Sequence, residues 1–247
     1  MHSEQAFCKV PVILCHESSV PAYSVFNPND WNGVSKTIIH SCVAQYSLLL
    51  YEASKLKAIF QQADALCQPR FADLESQWNT AKWEINTGSY FVEIPEAHLS
   101  IQAFLGSIKI FLDIIVQLIS AQGIVSQQIH GFHKKGEDVG GKLMNALRKN
   151  AKKETQEIAV NLDDLIARHK TMWIDQAVKA RDIFIHPEKG FYSVMFTLDL
   201  RVDEGKLRLV RVIKPAINEE EFDRYAEKTT GYVAEFSEQF LRLIKNV

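Results

Sequence analysis

The stretch DQAVKARDIFIHPEKG, residues 175 to 190, closes a long amphipathic helix and places three ionisable side chains at its end. Because proline disfavours the α conformation in the residue before it, Pro187 is predicted to stop the helix with His186 in the last turn. Asp182 and His186 are four residues apart and share a helix face. Arg181 lies about 140° around an ideal helix from His186, so only its long side chain or a distorted last turn brings both groups to one point. A cation, a carboxylate and an imidazole beside an open helix end are suited to handling a phosphate.

Residues 181 to 186 are an arginine, a polar residue, three further residues and a histidine. This pattern resembles the signature of HEPN domains. Domains of this family are all-helical modules, and many are metal-independent ribonucleases in toxin–antitoxin, abortive-infection and related prokaryotic defence systems. The resemblance covers the helical core, roughly residues 37 to 186. It implies a mainly α protein built as an antiparallel helical bundle, RNA or a nucleotide as the ligand, and a cognate antitoxin as a further partner. It also implies a homodimer in which two motifs meet across a two-fold axis.

The resemblance implies a catalytic role for each of the three motif residues. Arg181 would bind the phosphate in a fork and stabilise the charge that grows on its oxygens. His186 would move the proton when the ribose 2′-OH attacks the adjacent phosphate, and Asp182 would orient the imidazole or the guanidinium. No metal ion or other cofactor is expected. A structural alternative stays open, in which His186 is favourable at the C-terminal helix dipole and Asp182 is its ion-pair partner.

Composition and charge limit the classes of function. The chain has 247 residues, of which 47% are hydrophobic and 23% are charged, and this is an ordinary globular composition. The formal net charge of −2 predicts that any nucleic-acid site is a local patch. The four cysteines lack CxxC spacing, and the first 15 residues lack the pattern of a signal peptide. We therefore expect reduced thiols in a cytoplasmic protein.

The most apolar stretch, residues 101 to 119, has the length of a membrane span but carries Lys109 and Asp113 in its middle. Each charge would cost about 2.5–3.5 kcal/mol at a bilayer centre. The stretch is therefore predicted to be a core helix, and no membrane is expected as a partner. A helix that is apolar on most sides belongs at the centre of a bundle or under a dimer interface.

Hydrophobic periodicity separates an N-terminal arm from a helical core within a single domain. Residues 1 to 36 are interpreted as an ordered but irregular arm. The core, residues 37 to 186, contains apolar residues at helical spacing. This spacing predicts four long helices, over residues of about 35 to 66, 70 to 85, 95 to 123 and 154 to 185.

The C-terminal part, residues 187 to 247, is predicted to pack on the core as a β-hairpin followed by a helix. Hydrophobic residues alternate over residues 191 to 200 and 207 to 213, which is typical of a hairpin. An isolated hairpin is marginal, so it should pack on the helices or gain a strand from the arm. Asn218 is predicted to cap the last helix, with the acidic residues 219 to 221 in its first turn.

Residues 129 to 153 break the helical periodicity and are rich in glycine and in cations. Gly140 and Gly141 are expected to precede a short helix over residues 142 to 150. Two interpretations stay open, a solvated connection or a phosphate-binding loop beside the motif. In the second, the RNA-binding residues are Lys134, Lys135, Lys142, Arg148, Lys149, Lys152 and Lys153.

The remaining histidines do not predict a metal site. His130 and His133 form an HxxH pattern, but zinc would need two further ligands and no cysteine is near in the sequence. His169 falls on the buried stripe of the fourth long helix, together with Met172 and Trp173. We expect His169 to be a hydrogen-bonded core histidine.

Three hypotheses of function follow from these observations. The first is a metal-independent endoribonuclease or an RNA-binding effector of prokaryotic defence or toxin–antitoxin biology. The second is a non-catalytic HEPN-like module that binds a nucleotide or a partner protein, and the third is a purely structural helical protein. Signatures of dinucleotide binding, P-loops, HExxH metallohydrolases and GxSxG hydrolases do not occur in the chain. Whether the protein is an enzyme is left open by the sequence.

Overall fold

The computed structural model describes residues 21–81, 89–186 and 194–245. Helices make up most of this part of the chain and a small antiparallel sheet completes it, so the predicted mainly helical class is confirmed. The helices are α1 (Pro21–Val25), α2 (Gly33–Gln61), α3 (Ala63–Ala81), α4 (Pro95–Ile115), α5 (Gln117–Ala121), α6 (Gly141–Asn150), α7 (Gln156–His169), α8 (Asp175–Ile185) and α9 (Phe222–Ile244). The strands are β1 (Ser89–Val92), β2 (Phe196–Asp203), β3 (Lys206–Ile213), β4 (Ala216–Ile217) and β5 (Glu220–Glu221).

Helix α4 lies at the centre of the fold, in contact with α2, α8 and α9. After a break at Val116 it continues as α5, and the predicted stop at Gly123 is confirmed. Gly123 has a φ of 67°. The N–H groups of Gly123 and Ile124 donate to the carbonyls of Ser120 and Ile119 respectively. This pair of bonds is a Schellman motif, which satisfies carbonyls that the helix end leaves without an intrahelical partner.

The segment Pro95–Ala121 is the one helix in the described ranges that is long and apolar enough to cross a membrane, with a mean hydropathy of 1.8 in its most apolar part. More than half of that part, 56%, is buried inside the fold. Its two central charges also find partners inside the protein, because Lys109 and Asp113 form an ion pair along the helix. This burial and pairing agree with the predicted core helix.

The first two core helices divide at Gln62, so the predicted division between residues 66 and 70 is wrong. Gln62 has a φ of −99° and a ψ of 7°, and its N–H donates to the carbonyl of Ile59. Helix α3 then runs through Pro69, although proline lacks an N–H and destabilises a helix interior by about 3 kcal/mol. Tertiary packing offsets this local penalty, because α3 lies against β2 and β3. Trp78 Nε1 also donates to the carbonyl of Gly205 in the β2–β3 turn, at 3.1 Å.

The fourth long helix is continuous but contains a π-helical turn, Lys170–Ile174, between α7 and α8. The N–H of Asp175 donates to the carbonyl of Lys170, five residues earlier. Because such a turn holds one extra residue, it shifts the buried face relative to a regular α-helix. His169 and Trp173 are buried as expected, whereas Met172 is 41% exposed and its predicted burial is wrong.

The predicted hairpin, β2 with β3, belongs to a three-stranded antiparallel sheet in the order β1-β2-β3. Tyr90 pairs with Leu198 and Phe91 pairs with Thr197, so the third strand comes from the segment before α4. The hairpin also lies against α3, so the predicted packing on the helices is confirmed. Residues 191 to 193, at the start of the predicted hairpin, lie outside the described residues.

Asn218 does not cap the last helix, and this prediction is wrong. The chain forms a second, two-residue hairpin in which β4 pairs with β5, and Asn218 and Glu219 are its two turn residues. Their φ angles are 47° and 69°. Two consecutive positive φ angles match the type I′ turns that join tight hairpins and favour asparagine. Helix α9 accordingly begins later than predicted, at Phe222.

The described part of the N-terminal arm, residues 21 to 32, is more helical than predicted. Within it, α1 is followed by a 3-10 turn, Pro28–Asp30, and α2 begins at Gly33. Phe26 is buried in the core and packs edge-to-face against Tyr46 and Phe111. Residues 1 to 20, with Cys8 and Cys15, lie outside the described residues. The other two cysteines, Cys42 and Cys67, are buried free thiols, as expected.

His169 is a hydrogen-bonded core residue, as predicted. Its side chain is fully buried, its ring packs edge-to-face on Phe236, and its Nδ1 accepts from Trp173 Nε1 at 3.0 Å. Because the indole nitrogen can only donate, Nδ1 is unprotonated and the neutral ring carries its proton on Nε2. Burial lowers the pKa of His169 and a nearby Arg168 also lowers it, against opposing effects of Glu235 and Gln239.

We predict that this buried histidine makes the fold acid-sensitive. The unfolded chain takes up a proton at His169 near pH 6.5, whereas burial makes the same protonation less favourable in the folded protein. The contribution of His169 to the free energy of unfolding is therefore fully present above that pH and is lost as the pH falls below it. The contribution is at most about 1.4 kcal/mol per pH unit. Urea unfolding of wild type and His169→Gln between pH 7 and pH 5 should show a smaller loss of unfolding free energy in the variant. The exposed His40→Gln is the control, and an equal loss in all three proteins would contradict the prediction.

Candidate functional site

The candidate site lies at the C-terminal end of α8. The helix ends at Ile185, and the N–H of His186 donates to the carbonyl of Asp182 at 2.9 Å. His186 leaves the helical conformation, with a φ of −120° and a ψ of 79°, and its side chain is partly buried. The predicted helix end is therefore confirmed, while Pro187 itself lies outside the described residues. His186 is the residue immediately after α8, and Arg181 and Asp182 lie within the last five residues of that helix.

The carboxylate of Asp182 lies between two cations. Its Oδ2 accepts from Lys134 Nζ at 2.5 Å and its Oδ1 accepts from Arg181 Nη1 at 3.1 Å. The Asp182 side chain is 14% exposed. Burial raises the pKa of Asp182, but the hydrogen bonds and charges of Lys134 and Arg181 outweigh it and hold the pKa below its usual value. The group is therefore ionised at neutral pH, and the three charges sum to one positive charge.

Arg181 retains an unused donor. Its side chain is 30% exposed, and its Nη1 contacts Asp182. Its Nε is buried and has no hydrogen-bond partner within the described part of the chain. Leaving a buried donor unmatched costs about 1–3 kcal/mol, and more for a charged group. Such a donor in a native fold calls for an acceptor beyond the described residues, and a water molecule, an anion or a second protein copy can supply one.

A second histidine lies near the same helix end. His98, in the first turns of α4, packs edge-to-face on Phe184 with ring centroids 5.3 Å apart. Its Nδ1 lies 4.0 Å from a carboxylate oxygen of Glu93. Phe184 is three residues after Arg181 on α8, so His98 borders the site through this ring. The sequence analysis did not associate His98 with the motif, because only the antiparallel contact of α4 with α8 brings them together.

Lys134 reaches the motif from a folded loop. Residues 131–139, which we call the site loop, contain a tight turn in which Lys135 and Asp138 exchange backbone hydrogen bonds of 2.9 and 3.2 Å. Lys170, in the π-helical turn, holds the far end of this loop. Its Nζ donates to Asp138 Oδ1 and to the carbonyl of Val139, both at 2.6 Å. The Lys170 side chain is only 12% exposed, whereas Asp138 is 55% exposed, so the contact is shielded from solvent on the lysine side.

The other six predicted RNA-binding cations do not contact the motif residues in any described hydrogen bond or ion pair. Arg148 Nε donates to Asp163 of α7 at 2.8 Å, and Lys135 Nζ lies 3.4 Å from Asn145. Lys152 lines a shallow cleft beside Gly123, at the end of α5. The structure therefore brings one of the seven cations, Lys134, to α8. RNA binding by the others, which include Lys142, Lys149 and Lys153, stays a prediction.

The HxxH pair is held through its backbone. The carbonyl of His130 accepts from Gln117 Nε2, and the carbonyl of His133 accepts from the N–H of Lys142, both at 3.3 Å. Within residues 21–81, 89–186 and 194–245, no group of three or more histidine, cysteine, aspartate or glutamate side chains is arranged to hold a metal ion.

We predict that Lys134 controls the ionisation of Asp182. Replacing Lys134 with Met removes one hydrogen-bonded cation from the carboxylate, so the pKa of Asp182 should rise toward its usual value or above it. Titration of the Asp182 side-chain carboxyl by NMR measures this pKa directly. Lys57→Met is the matched control, since Lys57 pairs with Glu227 at 3.2 Å elsewhere on the surface. An unchanged Asp182 titration in Lys134→Met would show that the ion pair does not persist in solution.

Comparisons of the chain with protein-family models, with curated proteins and with solved structures find no match. The physical features of the site itself are therefore the basis for a functional conclusion. These features are two cations on one carboxylate, an unmatched buried guanidinium donor and a histidine at the same helix end.

Proposed function

We propose that the protein is a HEPN-like, metal-independent endoribonuclease or RNA-binding effector that acts in the cytoplasm in prokaryotic defence or toxin–antitoxin biology. The observation that carries the proposal is the convergence of Arg181 and Lys134 on one shielded carboxylate, with a guanidinium donor left unmatched. A phosphate carries several acceptor oxygens and one or two negative charges, which suits such a pair of cations. Arg181 and Asp182 belong to the Arg–polar–His pattern, and this links the charge cluster to the family resemblance.

The proposed reaction is an internal transesterification of RNA. The ribose 2′-OH attacks the adjacent phosphorus, the bond to the 5′-oxygen of the next nucleotide breaks, and a 2′,3′-cyclic phosphate forms. His186 moves the proton, since an imidazole can both take up and release protons near neutral pH. Arg181 and Lys134 stabilise the charge on the non-bridging oxygens. Asp182 holds the two cations together and oriented before RNA binds.

A homodimer with α8 near the two-fold axis is part of this proposal. Leu99 and Ile110 of α4 lie three turns apart on one face and are 61% and 50% exposed. Gly106 lies between them, and a side chain there would meet nothing within 4 Å. Ile185 of α8 is 42% exposed beside the motif. An isologous contact through this apolar face would set two motifs opposite one another and give the unmatched Arg181 donor a second source of acceptors. A cognate antitoxin is the other partner that such a face could accept.

We predict that charges on this face separate the two copies. Leu99→Glu combined with Ile110→Glu should convert a dimer to a monomer in sedimentation at micromolar concentration, because each carboxylate would be buried without a partner. Val160→Glu is the control, since Val160 is 50% exposed on α7. A wild-type protein that sediments only as a monomer would remove this part of the proposal.

The alternative function is a non-catalytic module that binds a nucleotide or a partner protein. Two observations favour it over catalysis. The carboxylate of Asp182 already satisfies one donor each of Arg181 and Lys134, and the chain as a whole has a net charge of −2. Such a module would use the same cations to bind a phosphate without breaking a bond.

The decisive experiment tests Arg181 and His186 separately. Arg181→Ala and His186→Ala should both fold, since a helix-end histidine contributes only about 0.3–1 kcal/mol through the dipole. Cleavage of a mixed-sequence single-stranded RNA should fall by roughly a hundredfold or more in each variant. Asp182→Asn should lose less, because it keeps hydrogen bonding. EDTA should leave the wild-type rate intact, and the 5′ fragment should end in a cyclic phosphate.

His40→Ala serves as the matched histidine control, because His40 is exposed on α2 and belongs to no part of the site. Two results would reject the enzyme: wild-type protein that cuts no RNA with or without a partner, or alanine variants that cut as fast as wild type. Binding of nucleotide or RNA that still depends on Arg181 and Lys134 would then support the alternative module.

A further inference from the structure

Asp113 connects the central helix to the site loop. Its Oδ1 accepts from the N–H of Phe132 at 2.6 Å and also pairs with Lys109 on its own helix. The side chain is 29% exposed, so the contact is partly shielded from solvent. Phe132 stands two residues before Lys134. The backbone amide that Asp113 binds is therefore close in the chain to Lys134, the cation at the site.

The loop is shaped to fit this anchor. A Cβ at Gly131 would lie 2.7 Å from Asp113 Oδ1, so only glycine allows the backbone to approach the carboxylate this closely. The Phe132 ring is fully buried, and it packs where a Cβ at Gly140 would lie 2.5 Å from the ring. Gly140 also has a φ of 71°, which favours glycine in any case. Two glycines thus permit the contacts that hold the start of the loop.

Both ends of the loop are held, and Lys134 lies between the two anchors. At the start, Asp113 binds the N–H of Phe132, and at the end Lys170 binds Asp138 and the carbonyl of Val139. A flexible lysine loses about 2 kcal/mol of rotamer entropy when its ammonium is held in one place. Fixing the backbone on both sides of Lys134 reduces the conformational entropy that is lost when Lys134 binds an anion.

We propose that Asp113 is a positioning residue for the site: by binding the backbone at Phe132, it holds Lys134 against Asp182 and beside Arg181. Its connection with RNA rests on the proposed function, whereas its effect on the Asp182–Lys134 pair does not. Asp113 touches neither the motif nor a phosphate and acts only through the loop. The charged groups that face Asp182 are Lys134 from the loop and Arg181 from α8, and Lys109 faces Asp113 itself.

The first experiment follows the Asp182 carboxyl by NMR titration in the full chain without RNA. Asp113→Ala should release the loop, so Asp182 should titrate at a higher pH, the same direction that we expect for Lys134→Met. Asp113→Asn retains an oxygen that accepts from Phe132 N–H, so it should titrate close to wild type. This recovery separates the hydrogen bond from a general loss of charge. Asp199→Ala is the matched control, since Asp199 is 32% exposed and pairs with Arg211 on the sheet.

The second experiment measures binding of single-stranded RNA by the same proteins. Asp113→Ala should weaken binding by roughly tenfold, the scale of one charged hydrogen bond, and lower the log–log salt slope by about one. The double variant with Lys134→Met should bind no more weakly than either single variant, because both remove the same contact. Asp113→Asn should bind nearly as wild type.

The outcomes are distinguishable. A folded Asp113→Ala protein whose Asp182 titrates as in wild type would overturn the positioning role, and so would additive losses of RNA binding. If Asp113→Ala fails to fold, Asp113→Asn together with Asp113→Glu decides, because the longer carboxylate should displace the loop and raise the pKa of Asp182. Wild-type protein that binds no RNA would reject the proposed function while the titration still tests the role of Asp113.

Discussion

The structure depends on the burial of one helix that is apolar on nearly every side. Helix α4 contributes buried residues along its whole length, and water must be excluded from all of them at once. Helices α2, α8 and α9 pack against it for this reason. Its surface carries an ion pair, formed by Lys109 and Asp113. The loop between α5 and α6 contacts this pair, because the Asp113 carboxylate accepts a hydrogen bond from the loop backbone.

Much of the fold follows from hydrophobic periodicity. The long helices α2, α4 and α9 and the β2–β3 hairpin were all predictable, because each element must bury one continuous set of apolar residues. The division at Gln62 was not, since it follows from the contact of α3 with the sheet and not from the residues around it. Asn218 illustrates a second limit on what the sequence can predict about the fold. Asparagine favours helix N-caps and αL turns alike, and only the pairing of β4 with β5 decides between them.

The candidate site was predictable only for residues that lie close together in the sequence. Arg181, Asp182 and His186 fall within two turns of one helix, and their grouping can be read directly. The selection of Lys134 from seven cations requires the path of the loop, which is set by contacts across 19 residues to Asp113 and across 48 residues to Asp182. A charge in the middle of an apolar helix was the available signal for Asp113. Such a charge argues against a membrane span, and it also requires a polar partner inside the fold.

The π-helical turn determines which way the side chains of α8 point relative to those of α7. Each residue of an α-helix advances the direction of its side chain by about 100°, and the turn at Lys170–Ile174 accommodates one residue beyond the regular repeat. Because this turn already absorbs the extra residue, excising one residue from it would restore an unbroken α-helix and leave the end of α8 nearly in place. Excising one residue from the regular part of α8 before Arg181 would instead rotate everything beyond the deletion by about 100°. Arg181 and Asp182 would then face away from the loop that carries Lys134, although no member of the charge cluster had been changed.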